Sequence, residues 1–132
     1  VEEVTRVYQL PYPPSVNHYW RRVGARTLIS RQGRLYRGHV QAMLAVQRVR
    51  PIDGRLAVVI DVLPPDQRPR DLDNVQKGLL DALEAGGAYM NDSQIDLLIT
   101  RRGMQTTGGM AHVRLERLPV SRCPLCEGAW TG

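Results

Sequence analysis

From Leu72 to Leu83 the apolar residues Leu72, Val75, Leu79, Ala82 and Leu83 recur at helical spacing, and Gly86-Gly87 follows as a stop. A helix that starts at Asp71 or Asp73 and ends near Ala85 must bury this stripe against an apolar surface. Just upstream, Leu56, Val58, Ile60 and Val62 alternate as a strand does, and the strand runs into the polar, proline-punctuated segment 64–70. Strand, loop and helix in this order deliver the end of the strand to the mouth of the helix.

The flanking sequence repeats the alternation of helix and strand. Residues 4–10 read as a strand ended by P-Y-P-P, and residues 15–29 lack a clear period and read as a long loop. Ser30 is placed to cap a helix reaching about Arg48, with Tyr36, Val40, Met43 and Leu44 on its apolar face and Arg34, Arg37, Gln41 and Arg48 opposite. Pro51 and Gly54 break the chain before the Leu56 strand. Ile95, Leu97 and Ile99 alternate again, residues 103–109 form a turn region, and Ala111, Val113 and Leu115 are the returning partner of an expected antiparallel hairpin. The 132 residues suit about one domain. The expectation is a single-domain α+β fold in the order β-α-β-α-β-β, a mixed sheet with two helices packed on it. Residues 1–118 form the domain and residues 119–132 a tail. The longest apolar run, 56–60, is far too short to span a bilayer, and the opening V-E-E-V-T-R has no secretory h-region. A cytoplasmic protein is expected.

The placement of charge says more than its net value of +5. Of 18 basic side chains all but Lys77 are arginine, whose planar fork suits bidentate phosphate contacts and stacking. Between Glu3 and Asp53 there is no acid, while Arg6, Arg21, Arg22, Arg26, Arg31, Arg34, Arg37, Arg48 and Arg50 fall in that stretch. A solvated, arginine-decorated surface is the plain reading; a polyanionic partner is the sharper one.

Residues 70–92 concentrate the chemistry. Asp71 and Asp73 stand at the helix mouth, Lys77 one turn beyond Asp73, and Asp92 after the Gly-Gly break. Carboxylates with an ammonium point to a divalent-metal site for phosphodiester chemistry, since Mg²⁺ takes oxygen ligands and keeps several waters. Each residue also has a plainer use. Asp71 or Asp73 can cap the helix, Asp73 and Gln76 have capping-box spacing, Asp73 and Lys77 have the spacing of an i,i+4 ion pair, and Asp92 in N-D-S-Q suits a turn.

P-P-S-V-N at 13–17, S-R-Q-G-R-L-Y-R at 30–37, and R-D-L-D-N-V-Q-K with the downstream N-D-S-Q at 70–94 together resemble the RusA family of Holliday-junction resolvases. The resemblance runs in order over most of residues 4–118. It implies a homodimeric, Mg²⁺-dependent endodeoxyribonuclease, with Mn²⁺ able to substitute, that binds branched DNA and resolves four-way junctions by paired symmetric nicks. Asp71, Asp73 and Asp92 match the family's catalytic carboxylates and metal ligands, and Lys77 its catalytic lysine. Arg70 and Asn74 lie within the matched motif. With Asn17, Arg21, Arg22, Arg34 and Arg37 they are the expected DNA contacts. Such a protein acts in a bacterial cytoplasm, encoded by the bacterium or by a phage. Two departures stand out: Asn91 occupies a position where a relative can carry an acid, and the tail lies beyond the family's usual end.

Cys123 and Cys126 form a C-P-L-C pair in that tail. One such pair is half of a tetrahedral zinc site, so zinc needs ligands from a second subunit or from His112; a reduced pair and a disulfide are the alternatives. His18 and His39 read as surface or packing residues. Two other functions compete with the resolvase: a catalytically silent junction-binding module whose acids only cap a helix, and a nuclease for other branched DNA such as flaps.

Overall fold

The computed structural model describes residues 4–120, 122–126 and 128; the N-terminal V-E-E and the rest of the cysteine tail lie outside them. Residues Leu56–Leu63 form a strand in which every side chain from Leu56 to Ile60 is buried. A strand buried on both faces belongs inside a sheet, and this one has a neighbour on each side. With β1 (Thr5–Leu10), β4 (Leu56–Leu63), β5 (Ile95–Arg102) and β6 (Met110–Arg117), the sheet order is β1-β6-β4-β5. β5 runs parallel to β4, whereas β6 runs antiparallel to both β4 and β1. The sheet is therefore mixed, as expected from the sequence.

The expected hairpin of β5 and β6 does not form. β4 lies between the two strands, and the segment joining them crosses its end, where the Gly103 N–H donates to the Val62 carbonyl (2.8 Å) and the Thr106 N–H to the Pro64 carbonyl (2.9 Å). β5 and β6 each bury at most alternate residues, while the unbroken apolar run of β4 claims the place between them.

Residues 15–29 are not a long loop either. They form a short helix, α1 (Val16–Tyr19), and a two-stranded hairpin of β2 (Trp20–Val23) and β3 (Arg26–Ile29), turned at Gly24 with φ +61°. Most of the hairpin's side chains are exposed, so no alternation marks it in the sequence.

Two long helices cover one face of the sheet. α2 (Arg31–Val46) starts as expected, with the Ser30 hydroxyl accepting the Gly33 N–H at 2.9 Å. It buries Tyr36, Val40 and Leu44, and ends two residues before Arg48, whose φ of 54° takes it out of the helix. α3 (Asp73–Ala85) buries Val75, Leu79, Ala82 and Leu83. The face of α2 opposite its apolar stripe is not wholly solvent: Gln41 Nε2 donates to the Ala85 carbonyl (3.2 Å), and Arg37 bonds to Asp81 on α3.

α1 meets both helices at glycines. A Cβ at Gly33 would lie 2.3 Å from the Tyr19 carbonyl oxygen, and one at Gly78 would lie 2.7 Å from Tyr19 Cδ2. Tyr19 is fully buried in the notch these glycines leave, and its hydroxyl donates to Asp81. Gly78→Ala should therefore lower stability by about 1–3 kcal/mol through overpacking. Gly33→Ala should cost more, because it presses on backbone that cannot turn aside. Urea-denaturation midpoints of both variants measure this, and an unchanged midpoint for each would contradict the notch.

Candidate functional site

The segment before α3 is held by charge. Arg70 Nη1 donates to Asp66 Oδ1 (2.6 Å), and the Arg68 backbone N–H donates to the same oxygen (3.0 Å). The Arg70 side chain, and then the Arg68 amide, hold the Asp66 carboxyl down at about 2, against an ordinary 3.8. Arg70 also lies over the Tyr12 ring, 5.7 Å from its centroid, and Arg102 donates to the Arg70 carbonyl. The segment that follows β1, the 64–70 loop and β5 thus converge on the residue that precedes Asp71.

Asp71 and Asp73 are exposed, and neither side chain caps the helix. The first turn closes through backbone instead, from the Asn74 N–H to the Asp71 carbonyl (3.2 Å) and from the Val75 N–H to the Leu72 carbonyl (3.4 Å). Gln76, at capping-box spacing from Asp73, donates to Thr100 Oγ1 on β5 at 2.7 Å. The i,i+4 ion pair is not made. Among the described residues neither carboxylate enters a salt bridge, and Lys77 Nζ lies 5.8 Å from the centroid of the Trp20 ring. Trp20 in turn packs on Tyr19, ring centroids 4.9 Å apart. The plainer uses of these three charges, capping and pairing, are left unfilled.

Two grooves meet along this segment. One, of about 520 Å³, is bounded by Asp66, Arg68, Arg70, Asp71, Arg102 and Gln105 among others. The second, of about 370 Å³, is bounded by residues including Tyr12, Ser15, His18, Arg70, Asp71 and Asn74. Arg68, Pro69, Arg70 and Asp71 line both and form the wall between them.

Asp92 is elsewhere. It opens a single 3-10 turn, Asp92–Gln94, held by Asn91 and Gln94, and its backbone N–H donates to Glu84 Oε1 at 2.7 Å. Glu84 is eleven residues along α3 from Asp73, or about 16 Å at 1.5 Å per residue. The described residues of one chain hold no group of three acidic, histidine or cysteine side chains able to bind a metal. The structure places Asp71, Asp73 and Lys77 at one end of α3 and Asp92 with Glu84 at the other.

The remaining expected contacts divide in two. Asn17, Arg21, Arg22 and Arg34 are exposed on α1, the hairpin and the start of α2, with Arg34 donating to the Ile29 carbonyl (3.2 Å). Arg37 instead turns Nε and Nη2 toward Asp81 Oδ2, at 3.0 and 2.7 Å, and joins α2 to α3. Of the nine arginines in the acid-free stretch, it alone enters a salt bridge among the described residues. Asp66, Arg68, Arg102 and Glu84 carry no signal in the sequence that marks them for the site. Asp66 and Arg70 do have i,i+4 spacing, but the loop gave no reason to read them as a pair.

An acidic helix mouth set within a largely unpaired basic surface, on a small α+β scaffold, is the charge arrangement of a nucleic-acid-processing enzyme. Comparison with known proteins agrees. The family model for endodeoxyribonuclease RusA matches residues 11–116. The crossover junction endodeoxyribonuclease rusA of Enterobacteria phage HK97 is 40% identical over 114 residues, 84% of this chain and 93% of its own. The crossover junction endodeoxyribonucleases RusA of Shigella sonnei (strain Ss046) and Escherichia coli (strain K12) are 42% and 41% identical over 91 residues, 65% of this chain and 72% of theirs. The chain belongs to the RusA endodeoxyribonuclease family. The family match spans both grooves and both ends of α3 and stops short of the two cysteines.

The Asp66 bridge gives a pH test. Its folded pKa lies below the ordinary value, so its contribution to loop order is fully present above about pH 3.8 and is lost as pH falls through about 2. Carbon-detected NMR titration should place the Asp66 midpoint near 2, and Arg70→Gln should return it toward 3.8. An unshifted wild-type midpoint would remove the bridge from the account.

Proposed function

We propose that this chain is a Mg²⁺-dependent, structure-selective endodeoxyribonuclease that resolves four-way Holliday junctions by paired symmetric nicks, acting as a homodimer in a bacterial cytoplasm. The observation that carries this reading is the helix mouth: Asp71, Asp73 and Lys77 leave their charges uncommitted beside two arginine-lined grooves in a chain of the RusA family.

The donor set fits a hard cation. Two exposed carboxylates offer oxygen alone, the chemistry Mg²⁺ prefers, and waters and phosphate oxygens can fill the remaining positions. Asp71 and Asp73 would hold the ion, Mg²⁺ or Mn²⁺, with Asp92 as a third carboxylate. When bound, the ion supplies Lewis-acid polarisation of the phosphodiester and a lower pKa for the attacking water. Lys77, kept off Asp73, offers its ammonium to charge that grows on the phosphoryl or leaving oxygen. Arg68, Arg70 and Arg102 line the groove beside Asp71 and hold the flanking phosphates in register, while Asn17, Arg21, Arg22 and Arg34 extend that contact along the DNA arms. Cleavage of this kind leaves a 5′-phosphate and a 3′-hydroxyl, ends that can be ligated directly.

The separation of Asp92 gives dimerisation a second purpose. A C2 pair presents two equivalent sites to the two strands of a junction. In the same pair, Asp92 of one protomer can meet Asp71 and Asp73 of its partner, which α3 prevents within one chain.

Mg²⁺-dependent cleavage of a synthetic four-way junction, compared with duplex and flap DNA, tests the reading. Symmetric cuts near the junction support it; binding without cutting identifies a silent binding module, and preference for flaps a different nuclease. Asp71→Asn and Asp73→Asn should each abolish cutting and retain junction binding by gel shift. Lys77→Ala should slow single-turnover cleavage by about 10²–10³-fold. Normal rates in the asparagine variants would sink the site.

Subunit mixing tests the shared site. Asp73→Asn and Asp92→Asn chains, each inactive alone, should recover nicking of one strand when combined, because one of the two composite sites then has both acids. Absence of recovery in a confirmed heterodimer would place all three carboxylates' work within single chains.

A further inference from the structure

The cysteine tail is anchored to the domain. Strand β6 turns Ala111, Val113 and Leu115 into the core under the helices, so the alternating Arg114 points to the opposite face of the sheet. There Arg114 Nη2 donates to the Pro124 carbonyl, and Pro124 is buried. Residues 124–126 make a turn, and the Cys123 N–H donates to the Gly128 carbonyl at 2.7 Å, closing a loop around the second cysteine. A Cβ at Gly128 would stand 3.4 Å from Cys126 Sγ, so the chain passes close over that sulfur.

Both cysteines are free, Cys123 half-buried and Cys126 exposed. The backbone N–H groups of Cys126 and Leu125, and then the Cys126 side chain, hydrogen-bond to the Cys123 sulfur and draw its thiol pKa down. The two cysteines therefore flank a closed turn, two residues between them, anchored on the sheet through Pro124. This is how a chain arranges two ligands of a soft, tetrahedral metal. The other two ligands are missing: His112 does not join the pair, and no cluster of three ligating side chains occurs among the described residues.

We infer that the C-P-L-C turn is half of a shared tetrathiolate zinc site, in which Cys123 and Cys126 from two copies of this chain hold one Zn²⁺. Each thiol gives up its proton as its sulfur–zinc bond forms, and no oxidation or reduction is involved. Seated on the sheet face away from the helices, the site clasps two copies through a surface separate from the grooves beside Asp71. The family match ends at residue 116, so the clasp lies outside the matched domain. It stands apart from the catalytic reading, and either can fail without the other.

The full chain, kept reduced and freed of metal, is titrated with Co²⁺ and then Zn²⁺. The expected result is thiolate-to-cobalt charge transfer with intense tetrahedral d–d bands, saturating at one metal per two chains and bleached by Zn²⁺. X-ray absorption of the zinc form should show four sulfur ligands. Cys123→Ser and Cys126→Ser should each abolish the bands while leaving far-UV circular dichroism and Mg²⁺-dependent junction cleavage of the metal-free chain unchanged. Saturation at one metal per chain with two sulfurs and nitrogen or oxygen ligands overturns the shared site, and so does absence of tetrahedral thiolate bands in a chain whose two thiols titrate as free.

Discussion

Tyr19 is the residue through which the functional elements are referred to one another. Its ring enters a notch cut by Gly33 and Gly78, its carbonyl sits against the start of α2, and its hydroxyl meets Asp81, which Arg37 also reaches. Burial, then the bond to Asp81, pushes the Tyr19 phenol up to about 12, so it stays neutral and donating over the whole physiological range. Three helices are thus locked by one side chain with no backbone freedom at the contact. The consequence reaches Lys77 through Trp20: fixing Tyr19 fixes the aromatic ring over which the ammonium lies, and with it the distance between that charge and Asp73.

Arginine does two different jobs here, and position separates them. Arg55, Arg70, Arg101 and Arg117 pair with Asp96, Asp66, Asp61 and Asp53, all acids beyond residue 50, and stitch loops and neighbouring strands together. The acid-free first third has no such neighbours, and apart from Arg37 its guanidinium groups remain exposed or unpaired among the described residues. The unpaired charge therefore gathers on the elements around α1, the hairpin and α2, close to the grooves that Asp71 divides. Exposed salt bridges add little to stability, so the pairing matters more for where positive charge is cancelled than for how tightly the domain holds.

Legibility in the sequence followed burial. α2 and α3 bury one face each, and their apolar stripes, the Ser30 cap of α2 and the Gly-Gly stop of α3 could be read; the core strands β4 and β6 could too. The hairpin of β2 and β3 could not, because a ribbon exposed on most sides carries no alternation. The neighbours of β5 and β6 are hidden for another reason: adjacency in sequence suggests a hairpin, while the fully apolar run of β4 demands a neighbour on each side. At the candidate site, residue types and order were legible in R-D-L-D-N-V-Q-K. The rest was a matter of length. A 13-residue helix between Asp73 and the turn bearing Asp92 sets them apart along its axis, and spacing counted in residues hides that distance.

β6 is the last strand among the described residues and yet an inner strand of the sheet. Its register joins Thr5 to Glu116 on one side and Leu56 to Arg117 on the other. Until residues 110–117 have been synthesised, β1 has no partner and β4 lacks one of its two. A ribosome-bound chain can form its helices early, but it cannot finish the core before residues 110–117 have emerged. Closure is then late, long-range and cooperative, which slows folding relative to a domain built from local pairs. Premature termination before Met110 would leave β1 without its partner, β4 with one free edge and a core open at its centre.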